Sequence, residues 1–217
     1  MFAVVVAGSR LDGPLDPSML RSADLLVAAD GGADALLTLA LRPHVLVGDL
    51  DSISPDARDA LRAAGVEMVE LAVAKDETDT EVALRLAVER GADRIAVCGG
   101  LGGPRLDHLV ALLLLLTAPW LAGRDVRLVD RRHEVFLARG DAAIEGRPGD
   151  LVSLLALTPE VEDVRTEGLA YPLRGESLHQ WAGRGVSNEL LGERARVTHG
   201  RGELLVMRYR EMEEART

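Results

Sequence analysis

Five aspartates lie in or just after the turns that follow short apolar stretches in the first half of the chain. They are Asp30, Asp49, Asp51, Asp79 and Asp107. In an open α/β sheet, ligands bind beyond the carboxyl ends of the strands, so we expect these carboxylates to share one rim. Like charges held together there repel one another unless a cation lies between them. Carboxylate oxygens suit Mg²⁺, and the pattern predicts Mg²⁺ carried with a polyphosphate.

A glycine-rich stretch at residues 99–103 precedes a predicted helix and is followed by Arg105. Backbone N–H groups of such a loop bind phosphate oxygens, and a guanidinium adds a forked donor. The stretch lacks the Gly-Lys-Ser/Thr of a P-loop and is no clear dinucleotide fingerprint. Simpler interpretations stay open, because the glycines can form a tight turn and Asp49 can end a strand. Thr78 can be a plain helix cap, and Asp79 can favour the helix dipole.

The elements that must position these residues alternate along the first 130 residues. Apolar runs predict strands at residues 3–7, 25–29, 45–47, 68–71, 95–98 and 126–129. Helical stretches lie between several of them, at residues 32–41, 55–64, 80–90 and 106–116. This alternation is typical of a parallel sheet. The last helix is apolar on every side near its end, so we expect it to be buried between other elements.

The pattern changes after residue 131. Strand-like pieces recur at residues 134–138, 142–145, 151–157, 161–166, 194–198 and 203–209, and turn signals separate them. Residues 1–131 therefore predict an α/β domain with a mostly parallel, Rossmann-like sheet. Residues 132–217 predict an all-β sandwich.

The composition excludes several classes of function. The 217 residues carry a formal net charge of −10, which argues against nucleic acid as a partner. One cysteine, Cys98, excludes a disulfide framework and a Cys-rich zinc site. The longest uncharged stretch, residues 109–123, is too short for a membrane helix. We therefore expect a cytoplasmic protein without a membrane partner. Lys75 is the only lysine, and it lies in one of the acidic segments.

Four sequence blocks carry a resemblance to a known family. They are Ala-Asp-Gly-Gly-Ala at 29–33, Gly-Asp-Leu-Asp-Ser-Ile at 48–53, Lys-Asp-Glu-Thr-Asp-Thr-Glu at 75–81 and Gly-Gly-Pro-Arg-Leu-Asp-His at 102–108. Residues 168–173 and 185–189 follow in the order of the family's C-terminal signatures. The chain thus resembles thiamine pyrophosphokinase (thiamine diphosphokinase) over nearly its whole length.

This resemblance implies a homodimer with active sites at the subunit interface. The implied reaction moves the pyrophosphoryl group of ATP to the hydroxyethyl oxygen of thiamine and releases AMP. The first domain would bind ATP and Mg²⁺, and the second would bind thiamine.

By the motif matches, the metal ligands would be Asp49, Asp51 and Asp79, and Arg105 and Asp107 would join them in catalysis. The ATP site would contain Asp30, Gly31, Lys75, Thr78, Arg105 and Asp107. Thiamine would meet Tyr171, Ser187 and Asn188, the last two from the partner subunit. Either Asp79 or Asp107 could accept the proton of the alcohol.

Pro104 departs from the family pattern as an extra residue before Arg105. Three other functions stay open at this point. One is a related diphosphokinase that acts on another alcohol, such as a hydroxymethylpterin. The others are a Mg²⁺-dependent phosphohydrolase, since Asp-x-Asp also serves as a nucleophile motif, and a non-catalytic nucleotide or thiamine sensor.

Overall fold

The structure is a computed structural model that describes residues 1–8, 15–50 and 53–211. The chain divides into two compact units, Met1–Arg131 and Arg132–Thr217. Within the described ranges, no helix is long and apolar enough to cross a membrane.

The first unit contains a parallel sheet in the order β6-β5-β1-β2-β3-β4. Its strands are β1 (Phe2–Val6), β2 (Leu25–Ala29), β3 (Val45–Gly48), β4 (Glu67–Glu70), β5 (Arg94–Cys98) and β6 (Asp125–Val129). The inner strands are almost wholly buried, because side chains on both faces of a parallel sheet are covered. The α/β prediction is confirmed.

The helices of this unit are α1 (Pro17–Arg21), α2 (Gly32–Thr38), α3 (Pro55–Ala63), α4 (Asp79–Glu89) and α5 (Leu106–Leu115), with a 3₁₀ turn at Pro119–Leu121. Side chains cap the N-termini of two of these helices, α3 and α4, as the sequence predicts. Ser54 Oγ accepts a hydrogen bond from the N–H of Ala57, and Thr78 Oγ1 accepts one from the N–H of Glu81. Both bonds satisfy donors that have no partner inside the helix.

The expectation that the leucine-rich helix is buried between other elements is wrong. In α5 only Leu112 is buried, whereas Leu106, Val110 and Leu114 are exposed. These exposed residues recur at every fourth position and therefore share one face of the helix. The run is apolar all round, yet the first unit covers only its opposite side.

The second unit is built from antiparallel strands. One group has the order β12-β9-β14-β7 and the other the order β11-β10-β13-β8. The strands are β7 (His133–Ala138), β8 (Asp141–Glu145), β9 (Leu151–Ala156), β10 (Glu160–Glu167), β11 (Arg174–His179), β12 (Asn188–Glu189), β13 (Arg194–Thr198) and β14 (Leu204–Tyr209). Both groups contribute alternate side chains to one core, among them Phe136, Leu154, Val161 and Val197. This is the sandwich expected from the sequence.

Candidate active site

The order of the strands switches direction at the centre of the first unit. From β1 the chain builds β2, β3 and β4 on one side and then places β5 and β6 on the other. Loops diverge at such a point and leave a crevice beyond the carboxyl ends of the strands. A cleft of about 430 Å³ lies among the loops that follow β1, β2, β4 and β5. Its lining residues are Gly8, Ala29, Asp30, Val73, Lys75, Glu77, Thr78, Asp79, Thr80, Gly102, Gly103, Pro104, Arg105 and His108.

Asp30 enters this cleft from the turn between β2 and α2. Its backbone has φ of 52°, a left-handed conformation that costs free energy for a residue with a Cβ atom. The turn is tight because α2 begins against β1: a Cβ atom on Gly32 would lie 2.1 Å from the carbonyl oxygen of Val6. Gly31 caps α2 without lining the cleft. The close packing of α2 against β1 therefore fixes the backbone of Asp30, from which its side chain enters the cleft.

Asp49 follows β3, the strand beside β2. The N–H of Asp30 donates to the carbonyl oxygen of Val47, and a Cβ atom on Gly48 would lie 3.0 Å from Oδ1 of Asp30. Asp49 is thus adjacent in sequence to the residue that contacts Asp30, although it does not line the cleft. The next residue, Leu50, is buried with φ of 61°, so the turn after β3, like the turn after β2, contains a left-handed residue with a Cβ atom. Asp51 lies outside the described residues.

The acidic segment after β4 supplies one wall of the cleft. Thr78 caps α4, so Asp79 occupies its first position, where the helix dipole favours a carboxylate. The Nζ atom of Lys75 lies 2.9 Å from Oδ1 of Asp79, and these side chains are only 16% and 25% exposed. A carboxylate and an ammonium thus face each other inside the cleft, and both groups are largely withdrawn from water.

The glycine-rich loop after β5 supplies further lining residues of the cleft. Gly103 has φ of 101°, a conformation that favours glycine, and Arg105 stands at the start of α5. The guanidinium of Arg105 makes a two-point contact with Asp107, with Nη2 2.6 Å from Oδ2 and Nε 2.9 Å from Oδ1. Hydrogen bonds from Arg105 lower the pKa of Asp107. Asp107 is exposed, and it does not itself line the cleft.

The candidate residues of the second unit gather around one short strand. Asn188 belongs to β12 and is 8% exposed, whereas the neighbouring Ser187 is exposed with φ of 59°. The side chain of Asn188 hydrogen-bonds to both the N–H and the carbonyl oxygen of Tyr171. Tyr171 itself is 66% exposed. The structure therefore brings these three residues together within the second unit.

Among the described residues, no group of three or more His, Cys, Asp or Glu side chains is arranged to hold a metal ion. Asp30 and Asp79 line the same cleft, and Asp49 follows the adjacent strand. Their oxygens have the chemistry that Mg²⁺ prefers.

Two family models match the chain, one after the other. The model "Thiamin pyrophosphokinase, catalytic domain" matches residues 17–128, and "Thiamin pyrophosphokinase, vitamin B1 binding domain" matches residues 139–203. The chain belongs to the thiamine pyrophosphokinase family. The catalytic-domain match includes the cleft residues from Ala29 to His108, and the second match includes Tyr171, Ser187 and Asn188.

Similar proteins carry the same family name. The thiamine pyrophosphokinase of Bacillus subtilis is 27% identical over 186 residues, which cover 85% of this chain and 86% of the relative. The crystal structure of a thiamine pyrophosphokinase from the same species has a TM-score of 0.86 and covers 98% of this chain and 100% of that chain. A thiamin pyrophosphokinase family protein from Enterococcus faecalis, also 27% identical, has a TM-score of 0.84 over 98% of this chain and 100% of its own.

Sequence reasoning from the family blocks did not assign every residue of the cleft. Glu77, Thr80 and His108 line it without an assigned role, as do Gly8 and Val73. The first three lie inside the quoted blocks, each next to an assigned residue (Thr78, Asp79 and Asp107), so this adjacency was an available signal. Gly8 and Val73 lie outside the blocks and are brought there by the ends of β1 and β4.

Proposed function

We propose that this member of the thiamine pyrophosphokinase family transfers the pyrophosphoryl group of ATP to the hydroxyethyl oxygen of thiamine. The products are thiamine diphosphate and AMP. The observation that carries the proposal is the match to both family models in order, on a chain whose first unit has a cleft at its switch point. A cytoplasmic location is part of the proposal, since the reaction consumes ATP.

The ATP site is assigned to the cleft of the first unit. Lys75 and Arg105 both line the cleft and supply positive charge to a polyphosphate, and the glycine-rich loop supplies backbone N–H donors. Such transfer depends on alignment and charge neutralisation more than on covalent help from the protein. The proposed ATP-binding set is Asp30, Gly31, Lys75, Thr78, Arg105 and Asp107.

Mg²⁺ fits the donor chemistry of this site. Asp79 already has a cationic partner in Lys75, which indicates that its position favours a positive charge. We assign Asp49, Asp51 and Asp79 as the residues that hold the ion, with Asp51 outside the described residues. When bound, Mg²⁺ neutralises polyphosphate oxygens and orients them. Before ATP binds, the Lys75 ammonium partly offsets the repulsion among these carboxylates.

Either Asp79 or Asp107 is proposed to accept the proton of the thiamine hydroxyl. Each carboxylate already faces a cation, since Asp79 pairs with Lys75 and Asp107 accepts hydrogen bonds from Arg105, which lower the pKa of Asp107. A cationic partner weakens a carboxylate as a base, so the pairings favour neither residue. Asp107 also holds the guanidinium of Arg105 at the start of α5.

Thiamine is assigned to the second unit through Tyr171, Ser187 and Asn188. The exposed ring of Tyr171 offers a face for the cationic, aromatic substrate. The match of residues 139–203 to a vitamin B1 binding domain favours thiamine over a hydroxymethylpterin as the acceptor.

The active enzyme is proposed to be a homodimer in which the thiamine-binding segment with Ser187 and Asn188 works together with the partner's ATP site. The exposed apolar face of α5, formed by Leu106, Val110 and Leu114, supports this assembly, because such faces commonly mark contacts between proteins. Light scattering on the purified chain measures its mass, and a monomer at working concentration would contradict the dimer.

Substrate competition tests the acceptor. The protein is incubated with ATP, Mg²⁺ and equal concentrations of thiamine and 6-hydroxymethyl-7,8-dihydropterin, and both diphosphates are separated and measured. Thiamine diphosphate as the main product supports the proposal. Pterin diphosphate as the main product would overturn it, and so would binding of both compounds without turnover.

A further inference from the structure

Asn188 has the environment of a buried structural clamp. It is one of few polar side chains in the described part of the chain that are less than a tenth exposed, at 8%. Its Oδ1 accepts hydrogen bonds from the N–H of Tyr171 at 3.0 Å and from the N–H of Glu189 at 2.9 Å. Its Nδ2 donates to the carbonyl oxygen of Tyr171 at 2.7 Å. Both edges of the amide are thus engaged by the chain itself.

The segment around Tyr171 is anchored on both sides while its ring is not. Leu169 and Leu173 are buried, and Leu169 forms a β-bridge with Leu190. The N–H of Ala170 also donates to the carbonyl oxygen of Glu189. Between these anchors the Tyr171 side chain is 66% exposed. With so little packing on the ring, its position depends mainly on the backbone that Asn188 holds.

We propose that Asn188 is a positioning residue for thiamine, which acts through Tyr171 and does not touch the substrate. This inference rests on the proposed function. By fixing the N–H and the carbonyl oxygen of Tyr171, Asn188 holds the exposed ring ready as a platform for the cationic substrate. Fixing the backbone from which the ring projects reduces the conformational entropy lost on binding. The direct contacts then fall to Tyr171 and to the exposed Ser187.

A double-mutant cycle tests this role on the full chain. Thiamine affinity is measured by calorimetry for Asn188→Ala, Tyr171→Ala and the double variant. Asn188→Ala is expected to weaken thiamine binding about 10-fold, which is about 1.4 kcal/mol, with ATP affinity unchanged. In the Tyr171→Ala background, the same change is expected to cost less than about 2-fold. An undiminished 10-fold cost there would mean that Asn188 contacts thiamine directly, and the inference would be overturned.

Thr166→Val is the matched control. Thr166 is buried, and its hydroxyl accepts a hydrogen bond at 2.8 Å from the N–H of Leu173, two residues beyond Tyr171. The variant removes a comparable clamp without touching Tyr171. It is expected to lower the thermal midpoint while leaving thiamine affinity within about 2-fold of the wild type. An equal loss of affinity in Thr166→Val would show that general loosening explains the effect, against the inference.

A second readout does not depend on thiamine. The chain has two tyrosines, Tyr171 and Tyr209, so incorporation of 3-fluorotyrosine gives two ¹⁹F signals. Asn188→Ala is expected to shift and narrow the Tyr171 signal and to leave the Tyr209 signal in place. An unchanged Tyr171 signal would refute the clamp. If the wild type binds no thiamine while the signal responds as expected, the proposed function fails and the clamp stands.

Discussion

Replacing Lys75 by methionine tests how the cleft balances its charges. The substitution keeps an unbranched side chain but removes the ammonium that lies 2.9 Å from Oδ1 of Asp79. At 2.9 Å and an effective dielectric constant of about 20, the Coulomb attraction is about 6 kcal/mol. The cost of withdrawing both groups from water offsets most of it.

The net loss lies between two limits. Exposed pairs contribute about 0–1 kcal/mol, and removal of one partner from a fully buried pair costs about 3–5 kcal/mol. Side chains that are 16% and 25% exposed fall between these cases. We expect Lys75→Met to lower the free energy of unfolding by about 1–2 kcal/mol. For a chain of this size that corresponds to a thermal midpoint about 2–8 °C lower.

The same substitution should also weaken the use of ATP. A hydrogen bond to a charged group contributes about 1.5–3 kcal/mol, so kcat/KM for ATP is expected to fall roughly 10- to 150-fold. Lys75→Arg retains the charge and is expected to recover most of the stability. A guanidinium is a planar fork and not a compact charge, so this variant is expected to recover only part of the activity.

Arg85→Met is the matched control for this experiment. Arg85 pairs with Glu81 at 2.9 Å on α4, outside the residues that line the cleft, and its guanidinium lies over the ring of Trp120. Its loss is expected to cost about 1 kcal/mol of stability without changing kcat/KM for ATP. The reasoning about Lys75 is refuted if both variants show the same ATP dependence, or if Lys75→Met leaves the thermal midpoint unchanged.

Three further predictions follow from other parts of the structure. Asp49→Asn is expected to reduce product formation at least about 100-fold, since it removes one negative charge from the proposed Mg²⁺ ligands. The circular dichroism spectrum should be unchanged, and retained turnover would contradict the assignment of Asp49 to the metal. Burial, followed by the charges of Asp130 and Asp16, raises the pKa of the Cys98 thiol to about 12. Above pH 9.0, the ordinary pKa of a thiol, the unfolded chain loses this proton while the folded chain keeps it, so stability falls as the pH rises past 9.0. At pH 8 a thiol reagent should label only unfolded protein, because Cys98 is buried in the folded chain. Asp150→Ala removes the buried carboxylate that lies 3.1 Å from Arg208, which also pairs with Glu134. Urea unfolding should show a loss of about 3 kcal/mol, and a loss below about 1 kcal/mol would contradict the buried network.

The strands of the first unit were predictable because local pattern and tertiary environment agree. Continuous apolar runs such as residues 25–29 need cover on both faces, and only a parallel sheet between helices supplies it. The same argument predicts that Asp30 and Asp79 share one cleft, since parallel strands end on one side, but Asp49 and Asp107 do not line it. By contrast, β11 (Arg174–His179) has mainly polar residues and forms through its pairing with β10. No local sequence pattern predicts such a strand.

Within the candidate site, residue types were predictable but their pairings were not. The motif blocks indicate Lys75, Asp79, Arg105 and Asp107 without showing that each cation faces one of the carboxylates. The left-handed backbone of Asp30 was equally hidden, because the close approach of α2 to β1 imposes it. The wrong expectation for α5 has a related cause. An apolar helix pattern indicates that the helix surface favours burial, but it does not show that residues of the same unit bury it.

Product stoichiometry tests the central claim most directly. The purified chain is incubated with thiamine, Mg²⁺ and ATP labelled at the β-phosphate, and nucleotides and thiamine esters are separated over time. The account predicts AMP and thiamine diphosphate in equal amounts, with the label in thiamine diphosphate. Without thiamine, no AMP should form. ADP with thiamine monophosphate, or free phosphate formed without thiamine, would contradict it.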